Sequence, residues 1–337
     1  MPIQSTPNTA TAASETSTIE LLQISISARY AGGLLPLTTG VNLRIGQGEV
    51  VGLVGESGSG KTITALAAMG LLPSGLERVS GRVFLTGRDM TEASERQWNR
   101  MRGTTVAMIF QDPMTSLDPC FSVGKQIVEA VRAHRDVSRQ AARKMAIDVM
   151  GDAGIPEPAS RFEAFPHELS GGLRQRAMIA GALVLEPSVL IADEPTTALD
   201  VTTQAQIVDL VLGLCEARSM SVLWISHDLA VVSDLADRVF VMYAGELVES
   251  GPTLELFARP SHHYTAGLLE SATNRPFGEP FGFIQGTVPE TADWGEGCRF
   301  GPRCPRFDDV CTAHPDLAET GPGRMIRCHH PVPEATP

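Results

Sequence analysis

Residues 55 to 62, GESGSGKT, combine three glycines with two serines, a lysine and a threonine, directly after the apolar run VVGLV. Gly55, Gly58 and Gly60 permit tight turns that aim successive N–H groups into a concavity suited to phosphate oxygens. Lys61 can reach the β and γ phosphates of a nucleoside triphosphate, and the Thr62 hydroxyl can join the shell of a Mg²⁺ ion. The candidate cradle is thus the whole run Gly55, Glu56, Ser57, Gly58, Ser59, Gly60, Lys61 and Thr62. An ordinary glycine-rich turn after a strand has a similar composition, so the loop must be judged with its partners. SVLIADEP supplies one: Asp193 closes an apolar run and can hold the metal, and Glu194 beside it can act as general base. An exposed acidic pair at a strand end is the simpler alternative.

HELSGGLRQR places Ser170, Gly171 and Gly172 just before an apolar, helix-forming stretch. The free N–H groups and positive dipole end of such a helix suit an anion, although a plain helix cap explains the serine equally well. Taken in order, GESGSGKT, FQDP, LSGGLRQR, IADEPTTALD and ISHD resemble the ATP-binding subunit of an ATP-binding cassette transporter, over about residues 20 to 260. The variants LSGGLRQR, FQDPMTSLDP and ADEPTTALDVTTQAQ resemble the dipeptide and oligopeptide (peptide/nickel) importer branch. In that branch an apolar residue such as Leu173 is usual at a position where glutamine is common elsewhere.

The resemblance implies further roles. Gln111 would touch Mg²⁺ and the attacking water, Asp200 would cross to a partner subunit, and His227 would stand near the γ phosphate. Tyr30 lies about where the family has an aromatic that stacks on adenine. Turn, cap and packing roles are the alternatives for these four residues. The implied mechanism has two ATP-binding subunits closing head to tail, each ATP held between the loop at 55–62 of one and the LSGG segment of the other. ATP hydrolysis at Glu194 would then drive two membrane-spanning permease subunits, with a paralogue as the second ATP-binding subunit and an extracytoplasmic solute-binding protein acting indirectly. The place implied is the cytoplasmic face of the cell membrane, and the cargo di- or oligopeptides. Nickel chelates or sugars are alternative cargoes, and a soluble cassette ATPase in translation or DNA repair, or a regulatory scaffold, are rival functions.

The elements that must position these residues follow from periodicity. Strands are expected near ELLQISISAR, GEVVGLVG, RVFLTG, TVAMIF, SVLIAD, SVLWIS and RVFVMYAGELVES, with helices between many of them. From about 122 to 186 the pattern is helical throughout. The expected fold is an α/β P-loop NTPase cassette with a mixed, largely parallel sheet core, an inserted helical subdomain and a small Cys-rich C-terminal extension. Residues 1–19 read as a disordered tail without the features of a secretion signal, 20–276 as the cassette and 277–337 as the extension. No apolar run approaches the roughly eighteen residues needed to cross a bilayer. The formal net charge of −12 argues against nucleic acid as a partner.

Of six cysteines, four crowd the end of the chain: Cys298, Cys304, Cys311 and Cys328. Disulfides are disfavoured in a cytosolic chain. Four thiolates suit tetrahedral Zn²⁺ or an iron–sulfur cluster equally in number, and the paired CxxC of zinc ribbons is missing. Likeness to the GCxFxxRCxxxxxxCxxxxP extension of the same importer branch implies a [4Fe–4S] cluster, with zinc as the alternative. His314, His329 or His330 could replace a thiol. With the ATP site in the preceding domain, the cluster is expected to be structural, ordering residues 284 to 330 against the cassette or its partner subunit rather than carrying electrons, and Cys120 and Cys215 are expected to be structural thiols.

Overall fold

The computed structural model describes residues 17–197, 200–272 and 284–333. The chain opens with an antiparallel sheet. β1 (Ser17–Tyr30) lies between β2 (Gly33–Gly46) and β4 (Leu76–Leu85), and β5 (Arg88–Asp89) completes the order β2-β1-β4-β5. The tail expected to run through residue 19 lies outside the described residues up to 16, whereas Ser17, Thr18 and Ile19 are buried in β1. β2 is absent from the strands expected by periodicity because Pro36 and Gly40 interrupt its pattern. It forms the edge of its sheet, where a residue lacking an N–H is tolerated.

The larger sheet has the order β11-β12-β10-β9-β3-β8-β7-β6. Its centre is parallel: β3 (Val50–Val54) runs between β8 (Ser221–Ser226) and β9 (Arg238–Tyr243), while β7 (Val189–Asp193) runs between β8 and β6 (Val106–Ile109). Successive side chains point to opposite faces. Val51, Leu53, Ile191 and Ile225 pack toward the antiparallel sheet and α1 (Lys61–Ala68), whereas Val54, Leu190, Ala192 and Trp224 enter the core on the other side. With both faces covered, these strands read as continuous apolar runs.

α2 (Glu95–Met101) and the single turn α3 (Pro113–Ser116) flank β6. The segment expected to be helical holds α4 (Val123–His134), α5 (Arg139–Asp152), α6 (Pro158–Arg161) and α7 (Gly171–Leu183). Their apolar stripes, including Ile127, Val131, Ala146, Met150, Ala180 and Leu183, join the second core. α8 (Val201–Ala217) and α9 (Leu229–Leu235) bracket β8, and α10 (Thr253–Ala258) and α11 (His263–Ala272) follow β10 (Glu246–Pro252).

The boundary expected at 277 lies outside the described residues, but the extension beyond it is not the loosely patterned appendage that its composition suggests. β12 (Arg324–Ile326) pairs antiparallel with β10 through Glu249↔Ile326 and Ser250↔Met325, and β11 (Ala318–Gly321) adds the outermost strand. Short strands rich in Gly and charge escape a periodicity search because three or four residues do not establish a period. Carboxylates of β10 hold the extension down. Glu246, 2% exposed, receives His314 at 2.8 Å and lies 3.8 Å from both Arg299 and Arg327. Glu249 accepts N–H bonds from Ser261 and His262 and lies 3.5 Å from Arg324.

Removing one member of a buried ionic group leaves the others unsatisfied. Glu246→Ala is therefore expected to destabilise the chain by about 3 kcal/mol, the low end of that class, because Arg299 keeps its bond to the Ala244 carbonyl. Denaturant unfolding measures the loss, and limited proteolysis should show early cleavage beyond residue 284. Unchanged stability and proteolysis would refute this account of the anchor.

Candidate functional site

The loop at 55–62 joins β3 to α1 and is shaped by what its glycines leave out. Gly55 has φ +152°, and a Cβ there would stand 2.1 Å from the Met242 carbonyl oxygen. Gly60, at φ +103°, would bring a Cβ within 2.9 Å of both Met242 and Thr38 side-chain atoms. The loop is also tied from outside, since Gly245 N–H donates to the Ser59 carbonyl at 3.0 Å and Glu56 N–H donates to the Tyr264 hydroxyl at 2.8 Å. Lys61 folds back inside it, with Nζ donating to the carbonyls of Gly55 (2.7 Å) and Glu56 (3.0 Å).

Parallel pairing brings the remaining groups to the same sheet edge. The register Val54↔Ser226 and Asp193↔Ile225 aligns the carboxyl ends of β3, β8 and β7, which is where open α/β sheets bind ligands. A cavity of about 520 Å³ opens there, lined by Glu56 through Ile63 together with Gln111, Glu194 and His227. The Thr62 hydroxyl donates to Asp193 Oδ1 at 3.2 Å. Glu194 Oε2 gathers three neighbours: Gln111 Nε2 at 3.2 Å, the Thr197 hydroxyl at 2.9 Å and His227 Nδ1 at 3.3 Å. Glu194 has φ +45°, an uncommon conformation for a residue with a side chain, and its N–H bonds the Ile225 carbonyl.

Burial dominates the electrostatics. It pulls the Lys61 ammonium below the usual lysine range, against the opposing pull of Glu194, Asp193 and Glu56. It likewise raises the Asp193 carboxyl, against the Thr62 hydrogen bond and the Lys61 charge. A carboxylate desolvated in this way, beside a hydroxyl oxygen, offers the hard oxygen donors that Mg²⁺ takes. The donor set therefore fits that ion.

Other expected site residues lie elsewhere. Ser170, Gly171 and Gly172 begin α7 and do not line the cavity; Ser170 Oγ accepts the Leu173 N–H, and a Cβ on Gly171 would meet nothing within 4 Å. Asp200 caps α8, accepting the Thr203 N–H at 3.0 Å and its hydroxyl at 2.7 Å, bonds that lower its carboxyl below the ordinary range. Its neighbours Ala198 and Leu199 lie outside the described residues. Tyr30 ends β1 beside the hairpin turn, 56% exposed, and is likewise not part of the lining. Thr197 carries no expectation from sequence, although it stands within the quoted IADEPTTALD.

The four late cysteines converge. Burial raises the Cys298, Cys304 and Cys328 thiols, Cys328 to about 11, and Cys328 is also within reach of the charges of the other three. Cys298 N–H bonds the Cys311 carbonyl at 3.0 Å. Zinc–sulfur bonds near 2.3 Å require sulfurs about 3.8 Å apart in a tetrahedron. Among the described residues the group that closes to within 4.8 Å is instead Asp308, Cys311 and His330. No three of these thiols close to within 4.8 Å of one another among the described residues, so they are not arranged as a single tetrahedral zinc ion requires. Cys215 is buried, whereas Cys120 is exposed.

The chain matches the ABC transporter family over residues 38–197, and the family described as oligopeptide/dipeptide transporter, C-terminal region, over residues 248–311. It is 45% identical over 300 residues to the dipeptide transport ATP-binding protein DppD of Escherichia coli (strain K12), covering 88% of this chain and 91% of that protein. It is 46% identical over 298 residues to the oligopeptide transport ATP-binding protein AppD of Bacillus subtilis (strain 168), covering 87% and 90%. The chain is an ATP-binding cassette subunit of the oligopeptide/dipeptide transporter family. Among solved structures, a dimeric ATP-binding cassette in a post-hydrolysis state bound to ADP and Pi superposes with a TM-score of 0.63 at 25% identity, covering 70% of this chain and 98% of that one. The cassette is an ATPase fold, and the cavity at the carboxyl ends of β3, β7 and β8 is its nucleotide candidate.

The closeness of Met242 gives a test of this loop geometry. Gly55→Ala must relieve a backbone clash in a conformation that side chains rarely adopt, at an expected cost of about 1–3 kcal/mol and with loss of nucleotide binding. Thermal unfolding and a fluorescent-nucleotide titration measure the two effects. Parental values in both would contradict the described loop.

Proposed function

We propose that this subunit hydrolyses ATP to power a membrane importer of dipeptides or short oligopeptides. The observation that carries the reading is the convergence on Glu194, where Gln111, Thr197 and His227 all address one carboxylate oxygen at the rim of the phosphate loop. Fixing Oε2 orients the carboxylate so that its second oxygen can accept a proton from an attacking water. Lys61 balances the β and γ phosphates, and the loop N–H groups cradle them. Thr62, Asp193 and Gln111 would hold Mg²⁺, which supplies charge neutralisation for the transferred phosphoryl group. His227 would take a hydrogen bond from, or give one to, the γ-phosphate region.

Ser170, Gly171, Gly172 and Asp200 have no part in the cavity of their own chain, which supports a composite site completed by a second cassette. In this reading the exposed start of α7 faces the triphosphate of the partner, where its N–H groups favour negative charge. The second cassette is a paralogue, and both pair with two permease subunits. Among the described residues no helix is long and apolar enough to cross a membrane. An apolar groove between the sheet and the helical segment, lined by Phe110, Leu117, Ile127 and Met178 among others, suits a short helix of a permease at the cytoplasmic membrane face. An extracytoplasmic binding protein would deliver the peptide.

Glu194→Gln keeps the shape of the side chain and removes the base. ATP binding should persist while turnover in the assembled transporter falls at least about a hundredfold, the scale of losing general-base catalysis. Turnover near the parental rate would exclude Glu194 as the base.

For the extension we propose a [4Fe–4S] cluster on Cys298, Cys304, Cys311 and Cys328, with Zn²⁺ as the alternative. The reading is supported by Cys298, Cys304 and Cys311 lying within electrostatic reach of Cys328 and by the likeness of their sequence pattern to the extension of the peptide importer branch. Protein prepared without oxygen should be brown and contain iron and acid-labile sulfide, and Cys304→Ser or Cys311→Ser should lose the colour. Colourless protein with one zinc per chain would overturn the cluster.

A further inference from the structure

The contact between the extension and the phosphate loop is unexpected from sequence. Arg303 stands 247 residues from Glu56, yet its Nη1 donates to Glu56 Oε2 at 2.7 Å and its Nη2 to Oε1 at 3.1 Å. The Arg303 side chain is 4% exposed, and its Nε also donates to the Gln285 carbonyl at 2.9 Å. A two-pronged bond of this kind fixes direction as well as distance. Glu56 is the second residue of the loop, and its N–H is already engaged by Tyr264. Backbone and side chain of one loop residue are therefore both held from outside the cradle.

Arg303 is also joined to the cysteines. Gly301 N–H bonds the Cys298 carbonyl, Arg303 N–H bonds that of Phe300, and Cys304 N–H bonds that of Gly301. Cys298, Phe300, Arg303 and Cys304 thus belong to one tight turn. The Phe300 ring meets Tyr243 edge-on at 5.3 Å and lies 5.5 Å from the Tyr264 ring. The turn consequently presses on the loop by a polar route through Arg303 and an apolar route through Tyr264.

We propose that Arg303 is a positioning residue for the phosphate loop, and that through Glu56 it couples the cysteine-bearing turn of the extension to nucleotide affinity. This rests on residues 55–62 being the ATP loop. Losing the strut frees Glu56 to rotate and lets the loop N–H groups drift from the arrangement that phosphate oxygens need. Coupling between sites is reciprocal, so a nucleotide in the loop must in turn steady the turn.

The test uses the full chain and the non-hydrolysable analogue AMP-PNP with Mg²⁺. Arg303→Ala should weaken AMP-PNP binding at least about fivefold, the lower scale of a coupling between sites. Arg303→Lys, which keeps charge but loses the fork, should fall between it and the parent. Arg324→Ala also loosens the extension, at Glu249, without touching the loop, and should leave binding unchanged. Glu56→Gln combined with Arg303→Ala should be no worse than the more damaging single change, because both act through one contact. Hydrogen exchange at residues 298–304 should slow on AMP-PNP binding in the parent and not in Arg303→Ala.

Parental affinity in Arg303→Ala, an equal loss in Arg324→Ala, or additive effects of Glu56→Gln and Arg303→Ala would each overturn the proposal. Where Arg303→Ala does not fold, Arg303→Lys takes its place in the same cycle. Lys61→Ala is the separate control: if it binds AMP-PNP as the parent does, the loop assignment itself fails rather than the strut.

Discussion

A buried cation among three carboxylates sets the terms for the rest of this fold. Lys61 is 5% exposed and Asp193 2%, and burial works against the charged form of both. Such charges persist only where partners are supplied by geometry that cannot relax. The sheet provides it. Because β3 and β7 share β8 as a neighbour, the loop that leaves β3 and carries the lysine at its far end is brought beside the acidic pair at the end of β7. The strained backbone of Glu194 belongs to the same arrangement: its N–H is bonded to Ile225, so the chain leaves β7 with the carboxylate turned toward Gln111 and His227.

Much of this was legible in the sequence because the chemistry is written in short, contiguous runs. GESGSGKT determines its own loop, since the glycines permit what Met242 and Thr38 would otherwise forbid. VLIAD and SVLWIS announce strands buried on both faces. Less could be read where the determinants are distant or weakly patterned. β2 hides behind Pro36, and β11 and β12 are too short to show alternation. The Arg303–Glu56 contact joins residues that no window of sequence contains together, and nothing in GESGSGKT distinguishes Glu56 as an anchor from Glu56 as a solvated side chain. The sequence places the ATP site in the domain before the extension but carries no signal of the contact that joins the two.

Ser170 and Asp200 illustrate why cap and ligand roles need not compete. Ser170 Oγ already accepts the Leu173 N–H and the Asp200 carboxylate already holds Thr203, so each helix start is stable without a partner. Capping consumes some of the free donors at a helix N-terminus and leaves the rest pointing outward. A surface poised in this way can be ordered in the single subunit and still have N–H groups to offer when an anion arrives on another chain.

The extension has little apolar matter to hold it, with Phe300, Cys311 and Ile326 as its buried hydrophobic residues among those described. It is fastened instead by directed contacts on acidic residues of the cassette: Arg303 on Glu56, Arg299, His314 and Arg327 around Glu246, and Arg324 near Glu249. Apolar packing tolerates small sliding motions, because dispersion is summed over many weak contacts. A forked bond between guanidinium and carboxylate does not, since its strength depends on planarity and angle. A segment held in the second way transmits displacement to whatever it grips, and one of the residues this segment grips is part of the phosphate loop.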